Sequence, residues 1–328
     1  MLLAMSVAGC MKTTPEQPIS SDNPLPISFQ TPIVSTITKS VGNADYPQSS
    51  SFGVFGVCHS GDFGGWDAAK LLIDGAKFSH VETIDDATAG NGAWCSDPVY
   101  YWPKSGKMTF AAWSPYLVKD QYGNDFSYGS NGLSVNDFTT SPDNSIDLMY
   151  SERAYNKTSS EGENTKYDGI DLIFHHALAA LTFKAVSVDP KVKIVVTKIA
   201  ISGIRKKGDF CENVDETVPS SYKSSPAWSN LSEMYTEADP LVVTSDELFI
   251  IPQDIAADAK MRVYYTIQVG DASPIPSVSS WTSLSGRKYK SGTVLDKWEM
   301  AHRYVYKLQI SGMVQIRFSV DVDSWGDV

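Results

Sequence analysis

The side chains with the greatest capacity for chemistry are five histidines, His59, His80, His175, His176 and His302, and four cysteines, Cys10, Cys58, Cys95 and Cys211. His175 and His176 are adjacent. On a strand, neighbouring side chains leave on opposite faces, so these two cannot chelate one metal and read as buried or edge histidines. No two cysteines are spaced as Cys-x-x-Cys, which removes the usual structural zinc pattern. Asp120, Asp125, Asp143 and Asp147 fall in or near polar loops that could hold calcium. Their spacing fits no calcium loop, and solvated charge is the reading. Gly106-Lys107 lacks the upstream glycine and the following Ser or Thr of a phosphate-cradling loop. No Gly-x-Ser-x-Gly nucleophile turn occurs. The sequence makes no case for an enzyme, a metal site or a cofactor.

The cysteines point elsewhere. Cys10 ends the run Val7-Ala8-Gly9-Cys10 after an apolar start. Small residues before a cysteine suit a lipoprotein signal peptidase, and the thiol is then the lipid attachment point. The alternative is a chance run of small residues. No basic stretch precedes it, as a start placed downstream of the true one would leave. Several acyl chains on one cysteine anchor a protein far better than a single chain does. Cys58 and Cys95 fall in one expected domain of a chain bound for an oxidising compartment, so they either form a disulfide or stand as isolated buried thiols. Trp94, Tyr100, Tyr101, Trp102, Trp113 and Tyr116 also carry two readings: rings filling a β-sheet core, or exposed faces that stack on sugars.

These residues must be positioned by strands. Apolar residues make up 42% of the 328 and aromatics 11%, enough to build cores. At that length, two sandwich-sized domains are the natural expectation. The net charge of −11 argues against nucleic acid as a partner. No window approaches the roughly 20 apolar residues of a spanning helix. Residues 11–26 are polar and proline-rich, a tether rather than a fold. Strands are expected over 27–38, 52–57, 78–83, 93–101, 107–113 and 145–150 in the first half. In the second half they are expected at 169–186, 192–204, 248–251 and 261–269, with a closing hairpin that turns at Ser311-Gly312. The glycines of Phe52-Gly53-Val54-Phe55-Gly56-Val57 suggest close packing against a neighbour. Residues 119–136 read as a long surface loop, 205–209 as a turn and 210–239 as mostly polar turn sequence. The one helix candidate is 65–76. The organisation expected is a signal and tether over 1–26 and β-sandwiches over 27–160 and 161–328. The fold class is all-β, two Greek-key sandwiches in tandem.

A series of segments in fixed order also carries a resemblance. It runs through FGVFGV, YYWP followed by MTFAAWSPY, DLMYSERAY, DLIFHHALAALTF and LFIIPQ, and closes with Trp298, Tyr304-Val305-Tyr306 and Trp325. The chain thereby resembles the fimbrillin family of Bacteroidia, the Mfa-like pilins and their relatives. The resemblance implies transthyretin-like sandwich domains and a lipid-anchored precursor exported to the outer membrane and cell surface. It implies partners among other pilin subunits, bound by β-strand addition after a protease removes the first strand. A host protein or glycan ligand is a further expected partner. Residues 27–38 match the removable strand. Where the family places an arginine after it, this chain has Lys39 followed by Ser40, and its first arginine is Arg153. Cleavage there would need a trypsin-like or lysine-specific protease. Only residues 323–328 follow the last expected strand, so either the closing hairpin is itself the donor or the subunit accepts a strand and gives none; the reading taken is a tip or accessory place. A glycan- or host-binding surface lipoprotein that never polymerises is the second reading.

Overall fold

Burial alternates residue by residue along Lys260–Val269, with Met261, Val263, Tyr265 and Ile267 inside. That period-2 pattern recurs through the chain and gives an all-β protein. The computed structural model describes residues 26–35, 44–67, 70–82, 94–116, 125–140, 146–159, 169–217, 221–244, 247–288, 292–311 and 315–324. No α-helix occurs among the described residues.

The largest sheet is centred on Ser51–His59, which pairs antiparallel with Leu71–His80 on one side and Lys107–Ser114 on the other. Beyond these lie Trp94–Ser96 at one end and Met149–Ser151, Ile173–His176, Ile33–Val34 and Ala44–Asp45 at the other. Residues 26–35 run between the two ends. Phe29 bridges Trp94 on one side and Ile170 on the other, so the sheet closes on itself. Its interior holds Phe52, Val54, Phe78, Trp94, Phe110 and Phe174. Gly53 carries no side chain because the Trp113 ring lies over it, where a Cβ would meet ring atoms at 2.2 Å. The expected close packing of that strand is observed.

A four-stranded sheet, Asp125–Gly129, Gly132–Thr139, Arg205–Cys211 and Ala227–Met234, packs on the outer face of the closed sheet. Phe55, Trp113 and Tyr150 from the closed sheet meet Leu133, Val135, Phe138 and Phe210 from the second. Two further sheets face each other over a third core. One is formed by Glu247–Ile250, Ala179–Ser187, His302–Ser311 and Gln315–Ser324. The other is formed by Leu241–Val243, Val192–Ser202, Lys260–Val269 and Ile275–Val278, with Thr282–Ser283 beside Lys260–Val269.

Two expectations are corrected. No α-helix occurs in the described part of the candidate 65–76, and Leu71–His80 is a strand instead, because antiparallel pairing on both of its edges outweighs local propensity. Much of the region expected as loop and turn, 119–136 and 205–239, forms the four-stranded sheet. Its outer face is polar, so only sparse inward residues such as Leu133, Val135 and Phe210 betray it. Strand pairing also runs across residue 160. Ile173–His176 belongs to the closed sheet, and Arg205–Cys211 leaves the later sheets to pair with Gly132–Thr139.

Candidate functional site

The candidate site is the stretch that closes the first sheet, residues 26–35, paired along both edges. Alternation in residues 26–35 directs Ile27 and Phe29 inward, and Val34 joins them after the break at Pro32. Ile27 is 1% exposed and Phe29 has no exposed surface. The Phe29 ring meets Phe52, Phe78 and Phe110 edge-on, with centroids 5.7, 5.0 and 5.5 Å away. Edge-to-face contact is the favoured aromatic geometry and adds to the area buried.

The backbone is held from both sides. Ile27 N donates to Tyr100 O at 2.7 Å, and Phe29 and Trp94 exchange bonds at 3.0 and 2.9 Å. On the other flank Ile170 N donates to Ser28 O at 3.0 Å, and Gln30 N to Ile170 O at 3.1 Å. Ile33 N and Ser35 N reach Leu172 O and Phe174 O at 3.0 and 2.8 Å. Pairing there is parallel, whereas the Trp94 side is antiparallel. Gly169 marks the closest approach. It sits at φ +74°, and a Cβ there would come within 2.6 Å of the Phe29 carbonyl carbon.

Tyr46, just past Ala44–Asp45, braces the seat. Its N donates to Pro32 O at 2.9 Å, its ring stacks on Phe174 at 5.3 Å, and its hydroxyl shares a 2.5 Å bond with Ser114 Oγ. Burial pushes that hydroxyl up to about 12, so Tyr46 stays neutral. Removing residues 26–35 would leave Tyr100, Trp94, Ile170, Leu172 and Phe174 with backbone groups unpaired beside an apolar trough. Buried groups left without partners cost about 1–3 kcal/mol each.

The expected site residues divide as follows. Cys10, Lys39 and Ser40 lie outside the described residues. In sequence, the bond between Lys39 and Ser40 falls after Ser35 and before Ala44, so a cut there would free residues 26–35 and leave the Tyr46 brace in place. Cys58 and Cys95 are free thiols. They lie on either side of Leu71–His80, two strand spacings or about 10 Å apart. They also lie toward opposite ends of it, Cys58 next to the residue facing Leu71 and Cys95 facing Ser79. Disulfides join Cα atoms less than about 7 Å apart, so of the two readings the geometry has the isolated thiols. Burial pushes both thiols up.

His175 and His176 do face apart, His175 Nε2 lying 3.0 Å from Glu152 and His176 Nδ1 2.7 Å from Asp147. In the aromatic cluster Trp94 and Trp113 are wholly buried, and Tyr100, Tyr101, Trp102 and Tyr116 are half-buried. The core reading holds for these rings, which form no exposed row.

One constellation escaped the sequence reading. Arg153 is buried and donates to Tyr128 Oη at 2.8 Å, Glu216 at 2.6 Å and the carbonyls of Gly129 and Ser130 at 2.9 and 3.0 Å. The rings of Phe63, Trp66 and Tyr128 surround its guanidinium. Nearby Glu212 is buried, accepting from Leu133 N at 2.7 Å and Tyr222 Oη at 2.9 Å. Together they latch the four-stranded sheet to the closed one. In sequence they look like ordinary loop charges, and no spacing marks them.

The sequence profile of a family described as fimbrillin-like matches residues 49–325, beginning after the closing stretch. No curated protein matches. Among solved structures, a candidate cell adhesion protein from Bacteroides uniformis superposes with TM-score 0.51 at 14% identity, covering 94% of this chain and 100% of its own. A fimbrial protein from Bacteroides vulgatus gives TM-score 0.51 at 16% identity, covering 91% and 99%. At such identities the likeness speaks for the fold.

Proposed function

The chain belongs to the fimbrillin-like family, and from that premise we propose that it is a lipid-anchored surface subunit of a fimbria whose first strand is a replaceable plug. The observation that carries this reading is the seat of residues 26–35: a short stretch, bonded on both edges and buried by Ile27 and Phe29, that alone closes a sheet. Proteolysis at Lys39-Ser40 would convert the plug into a detachable peptide. A neighbouring subunit's strand would then gain the same ladder bonds and the pockets of Ile27 and Phe29. Cys10 is the lipid attachment point in this proposal, and the outer membrane surface its destination.

A tip or accessory place is favoured over the stalk. The last described strand, Gln315–Ser324, is engaged along its length with His302–Ser311 in its own sheet. It is therefore not presented as a free arm. The fimbrillin-like family supports partners among other pilin subunits. The non-polymerising surface lipoprotein keeps the plug in place and differs in one observable.

That observable is the first residue of the mature protein on native cells, read by mass spectrometry. A chain that begins at Ser40 is the expected result. A chain that begins throughout at lipidated Cys10 keeps its plug and would assign the protein to the non-polymerising class. A start at neither position removes both the lipid and the processing proposals.

A further inference from the structure

The paired sheets of the second half are incompletely edged on one side. Among the described residues, Glu247–Ile250 covers only Ala179–Thr182, so residues 183–187 have a strand neighbour on one side alone. In the facing sheet Leu241–Val243 covers only Ile199–Ile201, and among the described residues 192–198 are bare on that flank. The two bare half-edges lie on the same side of the stack, since the short covering strands follow one another in the chain. Between them opens a slot of about 210 Å³, where Phe183, Val196, Ile199 and Leu308 lie beside the polar Thr197, Lys198 and Thr244. Bare backbone donors and acceptors beside such a slot are what an added strand needs: ladder bonds along its length and room for every second side chain.

The surroundings specify the strand. Val186, Val195 and Val242 stand 55%, 46% and 41% exposed on the outer faces. Lys184, Lys191 and Lys193 are exposed at the same edge, and among the described residues none of the three is in an ion pair. In a chain of net charge −11 this is a local basic rim. Lysine on a bare edge repels another copy of the same edge and attracts an acidic strand.

We propose that this slot is a second strand-acceptor site, taking an extended acidic segment of a different protein. The segment carries aliphatic side chains at alternate positions, directed into the slot, and carboxylates between them, directed at the lysine rim. The site uses neither residues 26–35 nor their seat, so it stands whether or not the plug is ever removed.

The test uses the full chain with residues 26–35 in place. The probe is a short synthetic peptide of alternating valine and glutamate, with its valine–lysine counterpart as control. Backbone amide exchange is followed at 183–187 and 192–198, and binding by fluorescence anisotropy. The glutamate peptide should slow exchange at those amides and leave 94–101 and 170–174 unchanged, and the lysine peptide should do neither. The double variant Lys184→Glu with Lys193→Glu, both exposed and so compatible with folding, should weaken binding by about tenfold or more. Absence of peptide-dependent protection at the two half-edges would overturn the site. Equal binding by the double variant would overturn its acidic selectivity. Protection of the same amides on concentrating the chain alone would assign the slot to a second copy and overturn the choice of partner.

Discussion

Glu212 has no exposed surface, and its two accepted hydrogen bonds do not repay the loss of water. Burial pushes its carboxyl from the ordinary 4.5 up to about 7, against the opposing pull of Leu133 N, Tyr222, Arg153 and His175. Gly132 is part of the arrangement, because at φ +86° its missing Cβ leaves the space that Oε2 occupies. The consequence for stability has a definite sign. The folded chain holds this proton up to about pH 7, while the unfolded chain releases it near pH 4.5. The contribution is therefore complete below about pH 4.5, declines as pH rises, and is lost above about pH 7. Glu212→Gln keeps an acceptor for Leu133 N and removes the titration. Urea midpoints measured across that window should fall with pH in the natural chain more steeply than in the variant. Parallel slopes would mean that Glu212 does not carry the effect.

At the scale of the element, the closing stretch is held by few residues, and Phe29 is the largest of them. Phe29→Ala would leave a cavity between Phe52, Phe78 and Phe110 and should destabilise the closed sheet by about 3–5 kcal/mol. Amide exchange at Trp94 and Ile170, whose N–H groups donate to this stretch, should rise with it. A loss confined to a few tenths of a kcal/mol would show that the stretch contributes little to the fold. This strand was legible in the sequence because Ile27, Phe29, Ile33 and Val34 are apolar or β-branched and a proline interrupts them. The interrupted ladder is what the structure shows, with Phe29 and then Ile33–Val34 paired on either side of Pro32. The four-stranded sheet was not legible, since strands such as Ala227–Met234 half-bury only Trp228, Leu231 and Met234 and expose Ser, Asn and Glu. Nor was the parallel pairing of Ile33–Val34 with Ile173–His176, which joins residues far apart in the chain and leaves no local trace. The Arg153 latch was hidden for the same reason: its partners Tyr128 and Glu216 come from separate segments on either side of it.

The whole molecule turns on one covalent connection. While residues 26–35 remain joined to Ala44–Asp45 through residues 36–43, a displaced plug stays at a high effective concentration, in the millimolar range for a short linker. A competing strand must outbid that tether, so an intact chain should resist exchange even where the competitor makes equal contacts. Cutting the connection removes the advantage without altering a single contact in the seat, and plug and competitor then meet on equal terms. A specific protease site placed at Lys39-Ser40 tests this. After the cut, a fluorescent peptide of residues 26–35 should enter the closed sheet, displace the unlabelled plug and remain bound through gel filtration. The uncut chain should take up none over the same period. Phe29→Ala in the peptide should abolish uptake, since the aromatic pocket and not the ladder alone selects the strand. Uptake by the uncut chain would show that the connection does not guard the seat. A cut chain that holds its plug against excess peptide would show that opening needs more than proteolysis, and the incoming subunit would have to pull the plug out as it docks.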